Sequence, residues 1–432
     1  MVTDTERVAE SEATMTVTND APLPGMTCRF CGHRADFVFV DLGVSPLCET
    51  FLTADELNRM EPFYPLRVNV CPQCFLVQLG EYVSPADIFT EYAYFSSFST
   101  SWVEHVRAYT EMVRRRLQLT ENSFVIEIAS NDGYLLQHFK AAGVPVLGIE
   151  PTGNTAEAAV ARGVPTEVSF FNAATATDLA ARGVAADLMV ANNVLAHVPD
   201  IGDFVAGFPR VLKPEGVLTF EFPHLLNLIE LVQFDTIYHE HYSYLSLLAV
   251  ERVLRANGLR PFDVELLSTH GGSLRLFVAH EAASHAETQA LRDLRAREAA
   301  AGLDRLDTYG GFAPRAAEVR RRFLAFLDQA KKEGKSVAAY GAAAKGNTFL
   351  NYAGVGAGDI VSVFDANPHK QDHFLPGSHL PILAPEKVAE VQPDYLLILP
   401  WNLKDEIMGQ VGFIRRWGGK FVTASPEVRI LP

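Results

Sequence analysis

Long apolar runs, clustered positive charge and scattered cysteine are all missing from this chain. No stretch of about 18 apolar residues occurs, so no transmembrane helix is expected. Lys and Arg number 37 against 52 Asp and Glu, a formal net charge of −15. No basic stripe gathers those cations, and nothing could displace counterions from nucleic-acid phosphates. The expected partner is a small molecule, with neither nucleic acid nor membrane. Residues 1–25 lack the basic start and apolar stretch of an export signal, and read as a disordered tail. Five cysteines in such a chain point to reduced thiols and a cytoplasmic location. The GxGxxG fingerprint, the Walker A loop and the HExxH zinc-protease spacing are also absent. With 432 residues, 48% hydrophobic and 21% charged, the chain has what two or three globular domains need.

The cysteines all fall between Cys28 and Cys74. Cys28-Arg-Phe-Cys31 and Cys71-Pro-Gln-Cys74 are two CxxC knuckles. Each places two thiolates on one tight turn, and two turns complete an all-sulfur tetrahedron. Cys28, Cys31, Cys71 and Cys74 are therefore the candidate zinc ligands. Four sulfurs leave no open coordination position, so the ion's expected role is folding. A redox CxxC is the weaker alternative, since no thioredoxin-like βαβ pattern surrounds either pair. Cys48 is left over.

Residues 26–83 form the expected zinc-binding domain, followed by an α/β domain over 84–270. Its expected strands are Phe124–Ala129, Val146–Ile149, Asp187–Val190 and Gly216–Glu221, alternating with helices as in a doubly wound sheet. Such sheets bind ligands at the carboxyl ends of their strands. The first loop, Glu127-Ile-Ala-Ser-Asn-Asp-Gly133, is polar and acidic, where a dinucleotide would need glycines. It suits a cation, and S-adenosylmethionine (SAM) carries a sulfonium and an ammonium. Glu150, ending the second strand, can accept hydrogen bonds from both ribose hydroxyls, or be a solvated strand-end acid. The candidate cofactor contacts are Glu127, Ala129, Asn131, Asp132 and Gly133, with Glu150 and Asn192.

Residues 271–432 hold a second α/β unit. It opens with Ser273–Val278, passes through a helical stretch, Glu281–Lys332, and continues with strands Ser336–Tyr340, Ile360–Phe364 and Tyr395–Leu399. The small-residue loop Gly341-Ala-Ala-Ala-Lys-Gly346 opens a helix, where free N–H groups favour a phosphate and Lys345 adds charge. Ala343, Lys345, Asp365, Asn367 and Lys370 are candidate substrate contacts, as is His270. The alternative is a degenerate Rossmann domain kept for packing. The fold class is thus α/β: a small zinc-binding domain, a Rossmann-like domain for SAM, and a second Rossmann-like domain.

Tyr238-His-Glu-His-Tyr-Ser-Tyr244 is the densest run of proton-handling groups in the chain. An imidazole beside a carboxylate suits a general base. A metal site is the weaker reading, because His239 and His241 diverge on a helix and no third ligand is evident. Polar residues satisfying buried backbone are a further alternative.

Taken in order behind the two knuckles, several motifs carry a resemblance. They are Glu127-Ile-Ala-Ser-Asn-Asp-Gly-Tyr134, Gly148-Ile-Glu-Pro151, Ala191-Asn-Asn-Val-Leu-Ala-His-Val198, Glu221-Phe-Pro-His224, Tyr238-His-Glu-His-Tyr242, His270-Gly-Gly-Ser273 and Tyr340-Gly-Ala-Ala-Ala-Lys-Gly346. The chain resembles the SAM-dependent C-methyltransferases of deoxysugar biosynthesis, especially the C-3′ branch of the tetronitrose and kijanose pathways. Ala129 departs from the glycine common in methyltransferases. The resemblance implies SAM and structural Zn2+ as cofactors. It implies a dTDP-4-keto-6-deoxysugar as acceptor, methylated at C3 of a dTDP-3-amino-2,3,6-trideoxy-4-keto-glucose, or at C5 across the same ketone, for an antibiotic sugar. For that reaction His241, a largely neutral imidazole at cytoplasmic pH, is the candidate base. Glu240 is its candidate orienter or tuner, and Tyr238 a candidate donor to the 4-keto oxygen or a sugar contact. The resemblance also places His197 and Tyr92 at the sugar. A monomer is compatible with all of this. The rival classes are an NAD-dependent nucleotide-sugar dehydrogenase or epimerase and a non-catalytic zinc-containing binding protein.

Overall fold

The computed structural model describes residues 26–85, 95–98 and 100–431. Strands β1 (Met26–Thr27) and β2 (Arg34–Ala35) form a hairpin around the first knuckle. Strands β3 (Phe37–Ser45), β4 (Tyr64–Val70) and β5 (Val77–Leu79) form an antiparallel sheet, with the second knuckle at the β4–β5 turn. Each knuckle needs a left-handed residue directly after its second cysteine. Gly32 supplies it at φ +70°, and Phe75 at φ +58°. Glycine pays no Cβ penalty there, whereas Phe75 costs on the order of 1 kcal/mol. The four Sγ atoms lie within 4.8 Å of one another, and among the described residues they are the one group that could hold a metal ion. The Cys28–Cys74 and Cys31–Cys71 sulfurs are each 3.5 Å apart. Four thiolates on one zinc, at about 2.3 Å each, need a shell of that size.

The central sheet holds β6 (Val125–Ile128), β7 (Val146–Glu150), β8 (Thr166–Val168), β9 (Ala186–Asn192) and β10 (Leu212–Pro223). Strand β11 (Ser243–Tyr244) leaves it, and β12 (Leu259–Leu267) and β13 (Ser273–His280) return to complete it. The order is β12-β13-β10-β9-β6-β7-β8. All neighbours run parallel except those of β13. The chain moves outward from β6 to β8, then crosses back to β9. A crevice therefore opens at the carboxyl ends of β6 and β9, the topological switch point.

The expected boundary at 270 falls inside this sheet, because β13 pairs with β10 from Pro223↔Ser273 to Leu218↔Val278. Gly271 and Gly272 turn β12 back into β13, at φ +86° and +113°. A Cβ on Gly272 would lie 2.2 Å from Asn227 Nδ2, and one on Gly271 2.5 Å from the Trp401 ring.

Strand β11 adds to the edge of the N-terminal sheet, with Ser243 opposite Gln78 and Tyr244 opposite Val77. The zinc-binding domain is thus completed by the segment that carries the histidines. Helices Gln289–Ala301 and Phe312–Lys332 then lead to the second α/β unit. It contains β14 (Val337–Tyr340), β15 (Val363–Phe364), β16 (Ile382–Leu383), β17 (Tyr395–Ile398), β18 (Lys420–Thr423) and β19 (Arg429–Leu431), ordered β16-β15-β14-β17-β18-β19. Only β19 is antiparallel. The expected strand over Ile360–Phe364 shortens to its last two residues.

One apolar core joins the N-terminal sheet to this unit. Within it Phe39 stacks on Phe312 at 4.3 Å. Leu52 and Phe374 exchange main-chain hydrogen bonds of 3.0 and 2.8 Å. Among the described residues no helix is long and apolar enough to cross a membrane.

Cys71→Ser is expected to bind well under one zinc per chain by elemental analysis and to melt at a lower temperature than the parent protein. Full zinc content in that variant would refute the four-sulfur shell.

Candidate active site

A cavity of about 690 Å3 lies where the three units meet. Its wall takes Glu49 from the N-terminal domain and Ala129, Asn131, Glu150, Asn192, His197 and His270 from the central domain. Tyr238, Glu240 and His241 come from the segment before β11, and Ala343 and Lys345 from the loop after β14.

The central-domain side is built from strand ends. Glu150 closes β7, and its two carboxylate oxygens accept from Asn131 N at 2.8 Å and Thr152 N at 3.0 Å. These bonds fix the carboxylate while leaving lone pairs for hydroxyl donors. Asn192 closes β9. It is 6% exposed, and neither polar atom of its side chain has a protein partner. A buried amide in that state points to a ligand that satisfies it. Four non-glycine residues on the wall are held at positive φ: Ala129 at 56°, Asn131 at 49°, Asn193 at 53° and His270 at 51°. Such clustering is typical of a ligand-binding wall. Ala129 thus keeps the left-handed backbone that glycine would adopt without strain.

The histidine segment is a tight turn, with His241 N donating to Tyr238 O at 2.9 Å. His241 Nδ1 lies 2.8 Å from the Thr236 carbonyl oxygen. A carbonyl can only accept, so Nδ1 carries the proton and Nε2 keeps the lone pair. Burial, helped by His197, holds the His241 pKa well below the usual imidazole range. Burial likewise takes His197 and His270 down to about 4. All three rings are neutral at cellular pH. His197 bonds the Glu240 main-chain carbonyl and meets the His241 ring edge-on at 4.6 Å. The Tyr238 ring packs on His241 at 4.0 Å. The Thr236 carbonyl orients the His241 imidazole, and its pKa is set by burial, His197, Thr236, His270 and Lys345.

On the opposite wall, Ala343 caps helix Ala344–Ala353 without a side-chain bond of its own, and Glu49 accepts from the Ala344 N–H. Lys345 spends one donor on Asn402 Oδ1 at 3.0 Å and lies over Trp401. Burial lowers its pKa, and the buried Asp235 counters this.

Several expected contacts lie elsewhere. Asp132 does not line the cavity: its carboxylate is held by Arg162 at 2.6 Å and by Ser97 Oγ at 2.5 Å. Glu127 sits beneath the loop with burial pushing its pKa well up, and Gly133 makes the turn against Val164. Asp365 accepts from Ala342 N at 2.7 Å and Asn367 N at 2.8 Å. Asn367 accepts from His369 N, and Lys370 bonds Ala342 O at 2.9 Å and Glu49 at 3.3 Å. These three brace the 341–344 loop from behind. His239 faces the N-terminal sheet, bonding Pro65 O at 3.2 Å. Tyr92 lies outside the described residues.

Sequence reasoning missed Glu49, Trp102, Phe170, Asn172 and Asn193, which line the cavity. Asn193 sits in the quoted Ala191–Val198 motif beside Asn192, Trp102 lies on helix Thr100–Arg116, and Glu49, Phe170 and Asn172 had only loop positions to suggest them. In the Glu221-Phe-Pro-His224 motif both end residues are structural. Glu221 binds Arg275 at 2.7 Å and His105 at 3.0 Å, and His224 binds Glu298 at 2.7 Å.

Nitrogen NMR at about pH 7 should find His241 protonated on Nδ1 only, with no titration down to about pH 6. A ring that titrates in the ordinary imidazole range would overturn this tautomer.

The chain matches three family descriptions: a zinc-binding domain over residues 28–89, a methyltransferase domain over 102–264, and a C-methyltransferase C-terminal domain over 268–426. It is 36% identical over 404 residues to the C-methyltransferase NovU of Streptomyces niveus, covering 94% of this chain and 96% of the relative. A ubiquinone biosynthesis O-methyltransferase of Bartonella bacilliformis is 26% identical over 95 residues, 22% of this chain and 38% of its own. Among solved structures, the magnesium protoporphyrin IX methyltransferase of Synechocystis PCC 6803 with bound SAM aligns at a TM-score of 0.34 and 14% identity. That alignment covers 47% of this chain and all of the other. The near full-length match to a C-methyltransferase, the three matched domains, the four-sulfur cluster and the Glu150–Asn192 crevice agree: the chain belongs to the SAM-dependent C-methyltransferase family, with SAM and zinc as its cofactors.

Proposed function

We propose that the protein methylates a dTDP-4-keto-6-deoxysugar at C3, the carbon beside the ketone. The observation that carries this reading is a neutral imidazole with its lone pair on Nε2, in a cavity shared by Asn192 and Glu150 on one side and Lys345 on the other. Carbon is a poor nucleophile until it becomes an enolate. A 4-ketone acidifies the C3 proton, and a positioned neutral base can remove it. SAM supplies an electrophilic methyl group. The cavity walls bring donor and acceptor together and exclude water from the enolate.

In this reading His241 takes the C3 proton. Tyr238 and His197, packed against its ring, hold the sugar, and Tyr92 joins them by family resemblance. Ala129, Asn131, Glu150 and Asn192 hold SAM. The N-terminus of helix Ala344–Ala353, beginning at Ala343, and the unspent donors of Lys345 take the diphosphate. His270 closes the wall between the two halves. A cytoplasmic location belongs to the same proposal.

Protein incubated with labelled SAM and dTDP-3-amino-2,3,6-trideoxy-4-keto-glucose, or another dTDP-4-keto-6-deoxysugar, should yield a sugar with a new methyl on C3 by NMR. Absence of transfer to any such sugar would reject the reading. His241→Asn is expected to lower kcat by about 10³-fold or more while leaving SAM affinity unchanged. Near-parental turnover would remove His241 as base. Asn192→Ala should weaken SAM binding about tenfold by calorimetry, and unchanged affinity would take Asn192 out of the cofactor site.

A further inference from the structure

We propose that Glu240 works as a neutral carboxylic acid that donates a hydrogen bond to the C4 oxygen as the enolate forms, and that Glu49 is the positioning residue that keeps the proton on it. The proposal rests on the function argued above and assigns a group to the one charge that mechanism leaves unmet.

Glu240 is 6% exposed and lines the cavity. Burial, then the charges of Glu49 and Lys370, set its ionisation, and no hydrogen bond to its carboxyl contributes. A buried carboxylate with no donor is costly, and a protonated one is far less so. The surrounding acids are better provided for. Glu49 pairs with Lys370 Nζ at 3.3 Å and accepts from the Ala344 main-chain N–H. Asp365 accepts from the Ala342 and Asn367 main-chain N–H groups. Among the described residues three acids thus face one lysine, and of the three only Glu240 has neither an ion pair nor an N–H donor. Among the described neighbours Cys48, Tyr242, His197 and His241 are uncharged near neutrality, while Lys345 stands on the same cavity wall. Burial takes Cys48 up to about 12, raises Tyr242, and lowers His197 and His241. The proton therefore settles on Glu240, whose pKa is pushed up to about 8 by burial and by Glu49.

Position gives this acid its use. Glu240 and His241 are consecutive on one turn and line one cavity. Enolisation needs a base at C3 and a donor at the neighbouring C4 oxygen. The C3–H bond breaks and its proton goes to His241 Nε2. The electron pair forms C3=C4, and the carbonyl pair moves onto oxygen, where the Glu240 O–H meets it. The pair then returns: C3–CH3 forms, the sulfonium S–CH3 bond breaks, and the ketone is restored beside S-adenosylhomocysteine. Glu240 keeps its proton throughout, and His241 releases its own to solvent. A neutral acid held this way is worth about 10²–10³ in rate.

The sign of the pH dependence follows. The protonated acid is the active form, so kcat/KM should fall as pH rises through about 8. Glu240→Gln keeps a donor but cannot titrate. It should retain activity within about tenfold and lose this alkaline limb, whereas Glu240→Ala should lose about 10²–10³ in kcat. Glu49→Gln removes the like charge, so the limb should move to lower pH by about one unit. SAM affinity serves as the folding control for all three. An alkaline limb retained in Glu240→Gln, or one unmoved in Glu49→Gln, would overturn the proposal. So would loss of turnover in Glu240→Gln as deep as in Glu240→Ala. Parental protein inactive on every 4-keto-sugar would reject the underlying function instead, before any variant is compared.

Discussion

The main chain of Tyr242 is the tie on which the rest depends. Its N–H donates to Ala196 O at 2.8 Å, and its carbonyl accepts from Leu79 N at 3.0 Å. Its hydroxyl reaches Val83 O at 3.0 Å, and Arg29, between the first two cysteines, lies over its ring. One residue is thereby tied to the zinc-bearing sheet and to the turn carrying His197. The distance between His197 and His241 follows from those bonds. The four-cysteine cluster thus supports the turn carrying Glu240 and His241 through Arg29 and β5.

The electrostatics of the cavity run against those of the whole chain. A net charge of −15 repels any anionic ligand at long range. On the cavity wall the histidines are neutral and Glu49 is paired with Lys370, while Glu150 is held by two main-chain N–H groups. Lys345 remains with one side-chain hydrogen bond spent. Pairing and burial thus offset part of the negative charge around the cavity, and the low dielectric strengthens what is left.

Much of this was legible in the sequence because it is local. The knuckles, the apolar strand runs and the acid ending β7 are each encoded within a few residues. The parts that were not legible depend on contacts distant along the chain. Asp132 looked like a cofactor contact until Arg162 was seen to hold it. Asp365 and Lys370 sit at a strand end, where ligands bind, yet are consumed bracing a loop. Glu49 has no signal at all: it matters because Glu240, on a distant turn, shares its cavity. The boundary expected after residue 270 missed that β13 returns to pair with β10, a contact distant along the chain.

The path of β11 sets an order of events during synthesis. Until residue 244 has been made, β5 is an open edge, with main-chain groups that can pair with any stray strand. The knuckles lie wholly upstream, so metal can close the N-terminal turn while the edge is still bare. The turn carrying His241, by contrast, exists only after a strand some 165 residues later returns to cover that edge, a slow, long-range closure. Protection of the early sheet from misassociation and assembly of the histidine-lined cavity are therefore one and the same step.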